Sequence, residues 1–409
     1  MSHYIKPSLV LLIATLFAAC KPEPPPDIVF TGGEVKKLAP EAVSKTNALP
    51  VYMHYMPWFD APMDGQGSWG IHWTMASANP ENVDANGRRE IASHYYPLIG
   101  PYDSQDPDVV DYHLLLMKYA GIDGVLINWY GEAGTNGDID LLLENSNAIV
   151  DRTDETGMEF GVVLEDRFAG EIGHTRSNVQ YLNTHYYTNP QYIHFDGRPL
   201  TLLFGPITWN SASDWTSILV ASTADELLMP LWYRTGSTGA DNTAGEYAWV
   251  YQNYLDGLRS FYQQSSTEAI VGGGAYPGFK DYYQQGGWDT EIGWELPVSA
   301  STMEATLDLA ATHQSKLDFL QLITWNDFGE GTMIEPTEEF EFAFLEEIQT
   351  YTGVSYTLAE LQLVYEWYTK KTDPDLAEDE DAQKKLEQAY YYLVALRVAD
   401  ARTLLDEVE

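Results

Sequence analysis

Eight apolar segments that alternate with helical patterns constrain the fold of this chain more than any other feature. The segments are rich in aliphatic and aromatic residues with little polar alternation, which indicates strands that are buried on both faces. They span residues 51–59, 125–130, 160–166, 200–204, 227–233, 249–252, 270–276 and 320–325. Helical patterns lie between several of them, for example at 108–120 and 303–314. Eight such units predict an α/β protein, a (β/α)₈ barrel with its helices outside the strands.

The barrel is predicted to span residues 49–352, because the pattern changes after it. Residues 358–371 and 378–396 have the apolar spacing of amphipathic helices, and a shorter helix is expected at 400–408. We therefore expect residues 353–409 to form a small helical extension at the C-terminus. Between the first two strands, the connection from residue 60 to 108 is too long for an ordinary loop, which indicates a role in the site or the scaffold.

The beginning of the chain resembles a bacterial lipoprotein signal. An apolar stretch at residues 9–19 is too short to span a membrane, and it ends in two alanines before Cys20, the only cysteine. We predict that residues 1–19 are a signal peptide, that Cys20 is lipidated, and that the proline-rich residues 20–48 tether the barrel to a membrane of the bacterial cell envelope. The alternative is an ordinary secretory signal with a chance cysteine.

Charge and composition exclude several classes of function. The net charge is −39, from 61 acidic and 22 basic residues, and this field repels nucleic acid. A single cysteine permits no internal disulfide and no cysteine metal cluster. The histidines lack the spacing of a zinc site, and the glycines at 272–274 lack the lysine of a phosphate loop. We therefore expect neither a metal nor a cofactor.

A polar cluster follows the last apolar segment. In chain order it contains Trp325, Asn326, Asp327, Glu330 and Glu335. Two carboxylates three residues apart, just past a strand end, are the groups that cleavage of a glycosidic bond requires. One carboxyl group must donate a proton to the leaving oxygen and the other must ionise. The alternative is a helix N-cap, since Asn and Asp before a Glu resemble a capping box.

Strand ends supply most of the candidate substrate-binding residues, because barrel enzymes place their sites at the carboxyl ends of the strands. The candidates are Tyr55, Trp58, His72, Trp129, Glu165, Arg167, Tyr233, Tyr276, Trp325, Asn326 and Glu335. The chain has 12 Trp and 28 Tyr, which stack on sugar rings but also fill barrel cores. Trp58, Trp129 and Tyr276 are interpreted as sugar platforms, with core packing as the alternative.

Three polar candidates have specific expected roles. Glu165 is expected to hydrogen-bond sugar hydroxyls or to hold Arg167. His72 is expected to contact a ring hydroxyl. Glu335, at the end of the polar cluster, is expected either to contact substrate or to brace its loop.

Several ordered motifs together resemble glycoside hydrolase family 99 and related 71/99-like proteins. They are Tyr-Met-Pro-Trp-Phe at 55–59, Ile-His-Trp at 71–73, the segment 95–107, Ala-Gly-Ile-Asp-Gly-Val at 120–125 with Asn128-Trp129, and the polar cluster at 326–335. The resemblance covers residues 50–345 and not the C-terminal extension.

The resemblance implies an endo-acting, retaining α-mannosidase that works on a (β/α)₈ barrel without a metal. In this family one carboxylate deprotonates the sugar's own 2-hydroxyl, which attacks the anomeric carbon, and a second carboxyl group protonates the leaving oxygen. On this sequence the base matches Asp327 and the acid/base matches Glu330. The family has Glu at the position of Asp327, and Trp-His at the position of Phe328-Gly329.

The expected partner is therefore an α-linked polysaccharide or oligosaccharide, most simply α-mannan, with a lipid anchor to the membrane. One alternative is an endo-α-1,3-glucanase-like hydrolase, which also fits the 71/99-like motif. The other alternative is a surface glycan-binding lipoprotein without catalysis, which the Asp327 departure allows.

Overall fold

The computed structural model describes residues 30, 32–63, 66–264, 269–288 and 292–408. The predicted signal peptide at 1–19, the lipidation site Cys20 and the first part of the tether lie outside the described residues. None of the helices in the described ranges has the length and apolar character that crossing a membrane requires.

Eight parallel strands form a closed barrel, which confirms the predicted fold class. The strands of the sheet are β1 (Val51–Tyr55), β2 (Gly124–Trp129), β3 (Glu159–Leu164), β4 (His194–Phe195), β5 (Arg198–Leu203), β6 (Leu227–Pro230), β7 (Gly245–Tyr247), β8 (Ile270–Ala275) and β9 (Phe319–Leu322). All except β4 are barrel strands, and each pairs with the next along the chain. A parallel bridge from Leu231 to Tyr247 joins β6 to β7. The pairing of β9 with β1 closes the ring.

Helices surround the barrel and continue beyond it. They are α1 (Ile71–Thr74), α2 (Pro107–Tyr119), α3 (Ile139–Thr156), α4 (Ile172–Tyr181), α5 (Ala212–Leu219), α6 (Thr235–Thr238), α7 (Tyr254–Gln264), α8 (Ala300–Thr312), α9 (Ala343–Thr352), α10 (Leu358–Lys371), α11 (Glu380–Val394) and α12 (Val398–Asp406). Short turns of 3₁₀ helix lie at Asp166–Phe168, Ala240–Asn242 and Gln314–Lys316, and one π-helical turn, Leu182–Tyr186, extends α4.

The sixth barrel strand, β7, lies earlier in the chain than the apolar pattern predicts. The apolar pattern predicts a strand at residues 249–252, but β7 is Gly245–Tyr247. Its Gly and Glu are not typical of a buried strand. Glycine is needed there because a Cβ on Gly245 would lie 1.8 Å from the carbonyl oxygen of Ile270 on the adjacent strand. Glu246 is tolerated because its carboxylate accepts the backbone N–H groups of Tyr233, Arg234 and Thr235 at 2.7–2.8 Å.

A hairpin missed by the sequence pattern joins β4 to β5. Asp196 and Gly197 both have positive φ, 51° and 75°, which is typical of a two-residue turn between antiparallel strands. His194 then pairs with Pro199. The two-residue strand β4 is too short to produce a recognisable pattern in the sequence.

The C-terminal helices pack directly on the barrel. The ring of Tyr368 on α10 lies 4.8 Å from that of Tyr112 on α2. The Tyr119 hydroxyl donates to the backbone carbonyl of Leu393 on α11 at 3.0 Å. The segment before β1 runs along α11, where the Gln388 side chain hydrogen-bonds both the N–H and the C=O of Lys36. The extension and the barrel therefore share one apolar core.

Candidate active site

A cavity of about 320 Å³ opens at the carboxyl ends of the barrel strands. Its walls include a set of residues predicted from the sequence, namely Trp58, His72, Glu165, Arg167, Asp327 and Glu330. These residues follow three different strands, β1, β3 and β9, so only the closed barrel brings them together. The cavity combines four carboxylates, one guanidinium group and aromatic side chains, a composition suited to a sugar.

The two candidate catalytic carboxylates lie on a tight turn after β9. No helix begins at Asp327, so the helix-cap interpretation is wrong. Instead Asp327 Oδ1 accepts the backbone N–H of Glu330 at 2.9 Å, and the Asp327 N–H donates to Thr324 Oγ1 at 2.9 Å. Phe328, which lies between the two carboxylates in sequence, is fully buried. Its ring centroid lies 5.6 Å from that of Trp73. This buried ring fixes the turn, and both carboxylates line the cavity.

A second loop, between β8 and α8, holds Glu330 from the other side. The Tyr283 hydroxyl donates to Glu330 Oε1 at 2.7 Å. The backbone N–H groups of Lys280 and Tyr282 donate to the carbonyls of Glu330 and Gly329, both at 2.8 Å. The position of the Glu330 side chain is therefore set by two loops that meet only in the folded barrel.

Burial makes both catalytic candidates hold protons more strongly than ordinary carboxyls do. Burial, and then the nearby Glu330 charge, raise the pKa of Asp327 well above its usual range. Burial also raises the pKa of Glu330, while the hydrogen bond from Tyr283 acts in the opposite direction. Two such groups titrate as a coupled pair, whose protons leave in two separate steps. A pair of this kind can supply one acid and one base at the same pH.

Glu165, the third carboxylate, ends a chain of hydrogen bonds through the barrel interior. Gln321 Nε2 lies 2.9 Å from His54 Nδ1, and His54 Nε2 lies 3.4 Å from Asn128 Oδ1. The Asn128 amide donates to Glu165 Oε1 at 3.1 Å. Burial lowers the pKa of His54 to about 3, so the imidazole is neutral and accepts from Gln321 while donating to Asn128.

Arg167 pairs with Glu165 at the wall of the cavity. Its Nε lies 2.7 Å from Glu165 Oε2. This is the pairing that the sequence analysis gave as one of two roles for Glu165. Burial raises the pKa of Glu165, and the Arg167 charge opposes that rise.

Asn326 and Glu335 stabilise the catalytic turn through buried hydrogen bonds. Asn326 hydrogen-bonds both the N–H and the C=O of Met56, at 2.9 and 3.0 Å. The Tyr102 hydroxyl donates to Glu335 Oε2 at 2.7 Å and accepts from the Asn326 amide at 3.0 Å. His113 Nε2 lies 3.3 Å from Glu335 Oε1. Both Asn326 and Glu335 are buried and absent from the cavity wall. The predicted substrate contact of Asn326 is therefore corrected to a structural brace, and of the two roles expected for Glu335 the contacts support the brace.

Several aromatic candidates belong to the core and not to the cavity. Trp129, Tyr276 and Trp325 are at most 1% exposed, and a ring without an exposed face cannot stack on a sugar. Tyr55 is equally buried, and its hydroxyl lies 2.8 Å from His113 Nδ1. These four residues therefore pack in the core, because their rings are buried and absent from the cavity wall.

Trp58 and His72 form an aromatic wall of the cavity. Their rings stack in parallel, with centroids 4.2 Å apart and planes 4° apart. Tyr233 is different, because it lies outside the cavity wall and is 57% exposed at the carboxyl end of β6.

Further residues of the cavity wall lie outside the set predicted from the sequence. They are Met56, Ile71, Asn128, Tyr130, Asn136, Asp138, Phe168, Phe204, Trp249, Tyr283 and Trp288. Trp249 was assigned to a strand, and the shift of β7 moves it past the strand end, where site residues lie. Tyr283 and Trp288 lie on the long β8–α8 loop, and the aromatic content of that loop was the available signal.

Comparisons with known proteins agree with this geometry. Residues 47–273, more than half of the chain, match the model of glycosyl hydrolase family 99. The solved structure of an endo-alpha-mannosidase of this family from Bacteroides thetaiotaomicron superposes with a TM-score of 0.59 at 17% identity, covering 77% of this chain and 98% of that one. This likeness shows the shared fold.

Two curated relatives are glycoprotein endo-alpha-1,2-mannosidases. The protein of Xenopus laevis is 22% identical over 183 residues, which are 42% of this chain and 41% of that protein. The protein of Rattus norvegicus is 22% identical over 320 residues, which are 70% of this chain and 67% of that protein. The match thus spans less than half the length of the Xenopus relative. By the match of its family model, the chain belongs to glycosyl hydrolase family 99.

Proposed function

We propose that this glycoside hydrolase cleaves α-mannosidic bonds within a mannose-containing glycan, with retention of configuration, through Asp327 and Glu330. The observation that carries the proposal is the placement of both carboxylates on one turn in the wall of a single cavity. The relatives named as endo-alpha-mannosidases support α-mannose as the sugar. The cavity also contains Glu165 and Asn128, polar groups suited to hydroxyl recognition.

In the first step, Asp327 removes the proton of the sugar's 2-hydroxyl, and that oxygen bonds to the anomeric carbon. The bond from the anomeric carbon to the leaving oxygen breaks, and Glu330 gives its proton to this oxygen. In the second step, Glu330 takes a proton from water, whose oxygen attacks the anomeric carbon, and the bond between that carbon and the 2-oxygen breaks. The 2-oxygen regains its proton from Asp327, so both carboxyls return to their starting states.

The shorter side chain of Asp327 bears on this mechanism. Asp is one methylene shorter than the Glu that the family resemblance implies at this position, and a misplacement by about 1 Å can cost about 100-fold in rate. Phe328 and Gly329 replace a Trp-His pair beside it. A Cβ on Gly329 would lie 3.2 Å from the Met75 side chain, so the turn packs close to α1. We propose that this close packing brings the Asp327 carboxylate to the position that a longer side chain would reach.

The experiment is a panel of α-mannans and α-glucans, with release of new reducing ends as the readout. The account predicts release from α-mannan by the wild type and none by the matched Glu330→Gln variant. Release from α-1,3-glucan alone would favour the glucanase alternative. No release from any member of the panel would contradict the proposal.

We also propose that lipidated Cys20 anchors the enzyme to a membrane of the bacterial cell envelope. The support is the apolar stretch at 9–19 that ends in Ala-Ala-Cys before a proline-rich segment. Cys20→Ser should move the protein from the detergent phase to the aqueous phase in a partition assay. Equal partitioning of variant and wild type would contradict anchoring.

A further inference from the structure

An exposed aromatic patch lies on the same end of the barrel as the cavity but outside its wall. It consists of Trp232 and Tyr233, which follow β6, and Tyr251, which follows β7. The rings of Trp232 and Tyr233 stack with centroids 5.8 Å apart, and Tyr251 meets Trp232 edge-on at 6.2 Å. Tyr233 is 57% exposed and Tyr251 is 44% exposed. Exposed aromatic side chains in one place require an explanation, since burial would otherwise be favoured.

The backbone that presents Tyr233 is strained and rigidly held. Tyr233 has a φ of 63°, in the left-handed region that residues with a Cβ rarely adopt. The buried carboxylate of Glu246 fixes this conformation by accepting the N–H groups of Tyr233, Arg234 and Thr235, together with the Thr235 hydroxyl at 2.7 Å. Such strain persists where the surroundings enforce it, and it is concentrated at functional sites.

A glycine within α7 supports the other two rings. A Cβ on Gly257 would lie 3.2 Å from Tyr251 and 3.6 Å from Trp232. Glycine is disfavoured inside helices, and here its missing side chain allows both rings to approach the helix. Phe261, one turn further along α7, packs edge-on under Trp232 at 5.6 Å. The patch therefore has a fixed shape before any ligand arrives.

The patch and the cavity share the loop after β7. Trp249 lines the cavity, and Tyr251 follows it by two residues on the same loop. The cavity volume of about 320 Å³ is at the lower end for ligand sites, so a polymeric substrate must extend beyond it.

We propose that Trp232, Tyr233 and Tyr251 form a distal glycan-binding platform, which holds a polysaccharide chain outside the cleavage cavity. The ligand class is a neutral sugar polymer whose C–H faces stack on the aromatic rings. The proposal rests on the proposed function for the identity of the polymer, but not for the existence of the platform.

The test measures binding in the Glu330→Gln background, where cleavage does not consume the ligand. Soluble α-mannan and a short α-mannose oligosaccharide are the probes, with affinity electrophoresis and calorimetry as the readouts. Tyr233→Ala and Tyr251→Ala should each raise the Kd for the polymer roughly three- to tenfold, the range for losing one aromatic contact. The Kd for the oligosaccharide should change less than twofold.

Two control variants separate stacking from general damage. Tyr233→Phe retains the ring and should bind the polymer as the parent does. Val220→Ala removes an exposed apolar side chain, 78% exposed, at the C-terminal end of α5 and should also have no effect. Thermal unfolding of each variant reports whether the fold is intact.

An unchanged Kd for the polymer in both alanine variants would overturn the platform, as would equal losses for polymer and oligosaccharide. Failure of the proposed function appears differently, as a wild type that cleaves no α-mannan. In that case the same comparison is made with any polysaccharide of the panel that retards the Glu330→Gln protein in affinity electrophoresis. If the Tyr233→Ala substitution abolishes this retardation, the platform is supported independently of the proposed function. Unchanged retardation would refute the platform.

Discussion

Three of the four carboxylates that line the cavity have neighbours that give each a different character. Glu165 has a cationic partner, Arg167, and an amide donor, Asn128. Glu330 has the Tyr283 hydroxyl, and Asp327 has the backbone N–H of Glu330. The carboxylate with the cation is therefore suited to bind sugar hydroxyls, while the coupled pair is suited to exchange protons.

Amide substitutions of the two catalytic candidates test these roles. Asp327→Asn and Glu330→Gln should each lower kcat by at least roughly 100-fold, the lower range for losing a general acid or base. Thermal unfolding should remain within a few degrees of the wild type, because an amide nearly matches a carboxyl in size. Arg88→Gln is the control, since Arg88 pairs with Glu338 and Glu339 outside the cavity wall. A variant of the pair that retains near-wild-type kcat would remove that residue from the mechanism.

Tyr283→Phe should shift the pH profile without removing a catalytic group. The Tyr283 hydroxyl stabilises ionised Glu330, so its loss raises the pKa of Glu330 further. Activity falls at alkaline pH when the general acid Glu330 loses its proton. The alkaline limb of the pH profile should therefore move to higher pH in this variant. We expect that shift in kcat/KM measured across pH, with Tyr282→Phe as the control. A limb that stays in place or moves to lower pH would contradict the assigned role of Glu330.

At the scale of elements, the sequence is most informative where buried strands form long apolar runs. The runs before Asp327 and Glu165 placed these carboxylates correctly at strand ends. The apolar pattern did not predict the position of β7. Gly245 and Glu246 are required there by contacts with residues of other elements, which a local pattern does not encode. It also failed for Trp129, Tyr276 and Trp325, because a strand-end position does not specify whether a ring turns inward or toward the mouth.

The close approach of β7 and β8 provides a test at this scale. A Cβ on Gly245 would overlap the Ile270 carbonyl, so Gly245→Ala must displace a barrel strand. We expect the free energy of unfolding to fall by about 3 kcal/mol or more, the upper range for overpacking. Gly236→Ala is the matched control, because nothing lies within 4 Å of its added Cβ. Urea denaturation of both variants measures the difference, and equal stability would refute the assigned packing at β7.

At the scale of the whole molecule, the C-terminal helices and the barrel form one packed body. Trp367 on α10 is 1% exposed and donates its indole N–H to the carbonyl of Leu386 on α11. Arg152 on α3 pairs with Asp111 on α2, and the Tyr390 hydroxyl of α11 donates to the same carboxylate at 3.1 Å. Apolar spacing predicted these helices, but their docking surface depends on side chains distant in sequence.

Trp367→Ala should therefore lower the stability of the barrel as well as that of the extension. Truncation of a buried Trp costs about 3–5 kcal/mol, and we expect a single calorimetric transition at lower temperature. Glu366→Ala removes the exposed neighbour that pairs with Lys370 and should change stability by no more than about 0.5 kcal/mol. Two separate transitions, with the barrel transition unmoved, would show that the extension folds independently.

The stereochemistry of the first product tests the central claim most directly. Proton NMR of wild-type enzyme acting on α-mannan reports the anomer of the newly formed reducing end before it equilibrates. The account predicts that the α-anomer appears first, and that the signal disappears in the Glu330→Gln variant. Initial release of the β-anomer, or release that survives in Glu330→Gln, would contradict a retaining mechanism through Asp327 and Glu330.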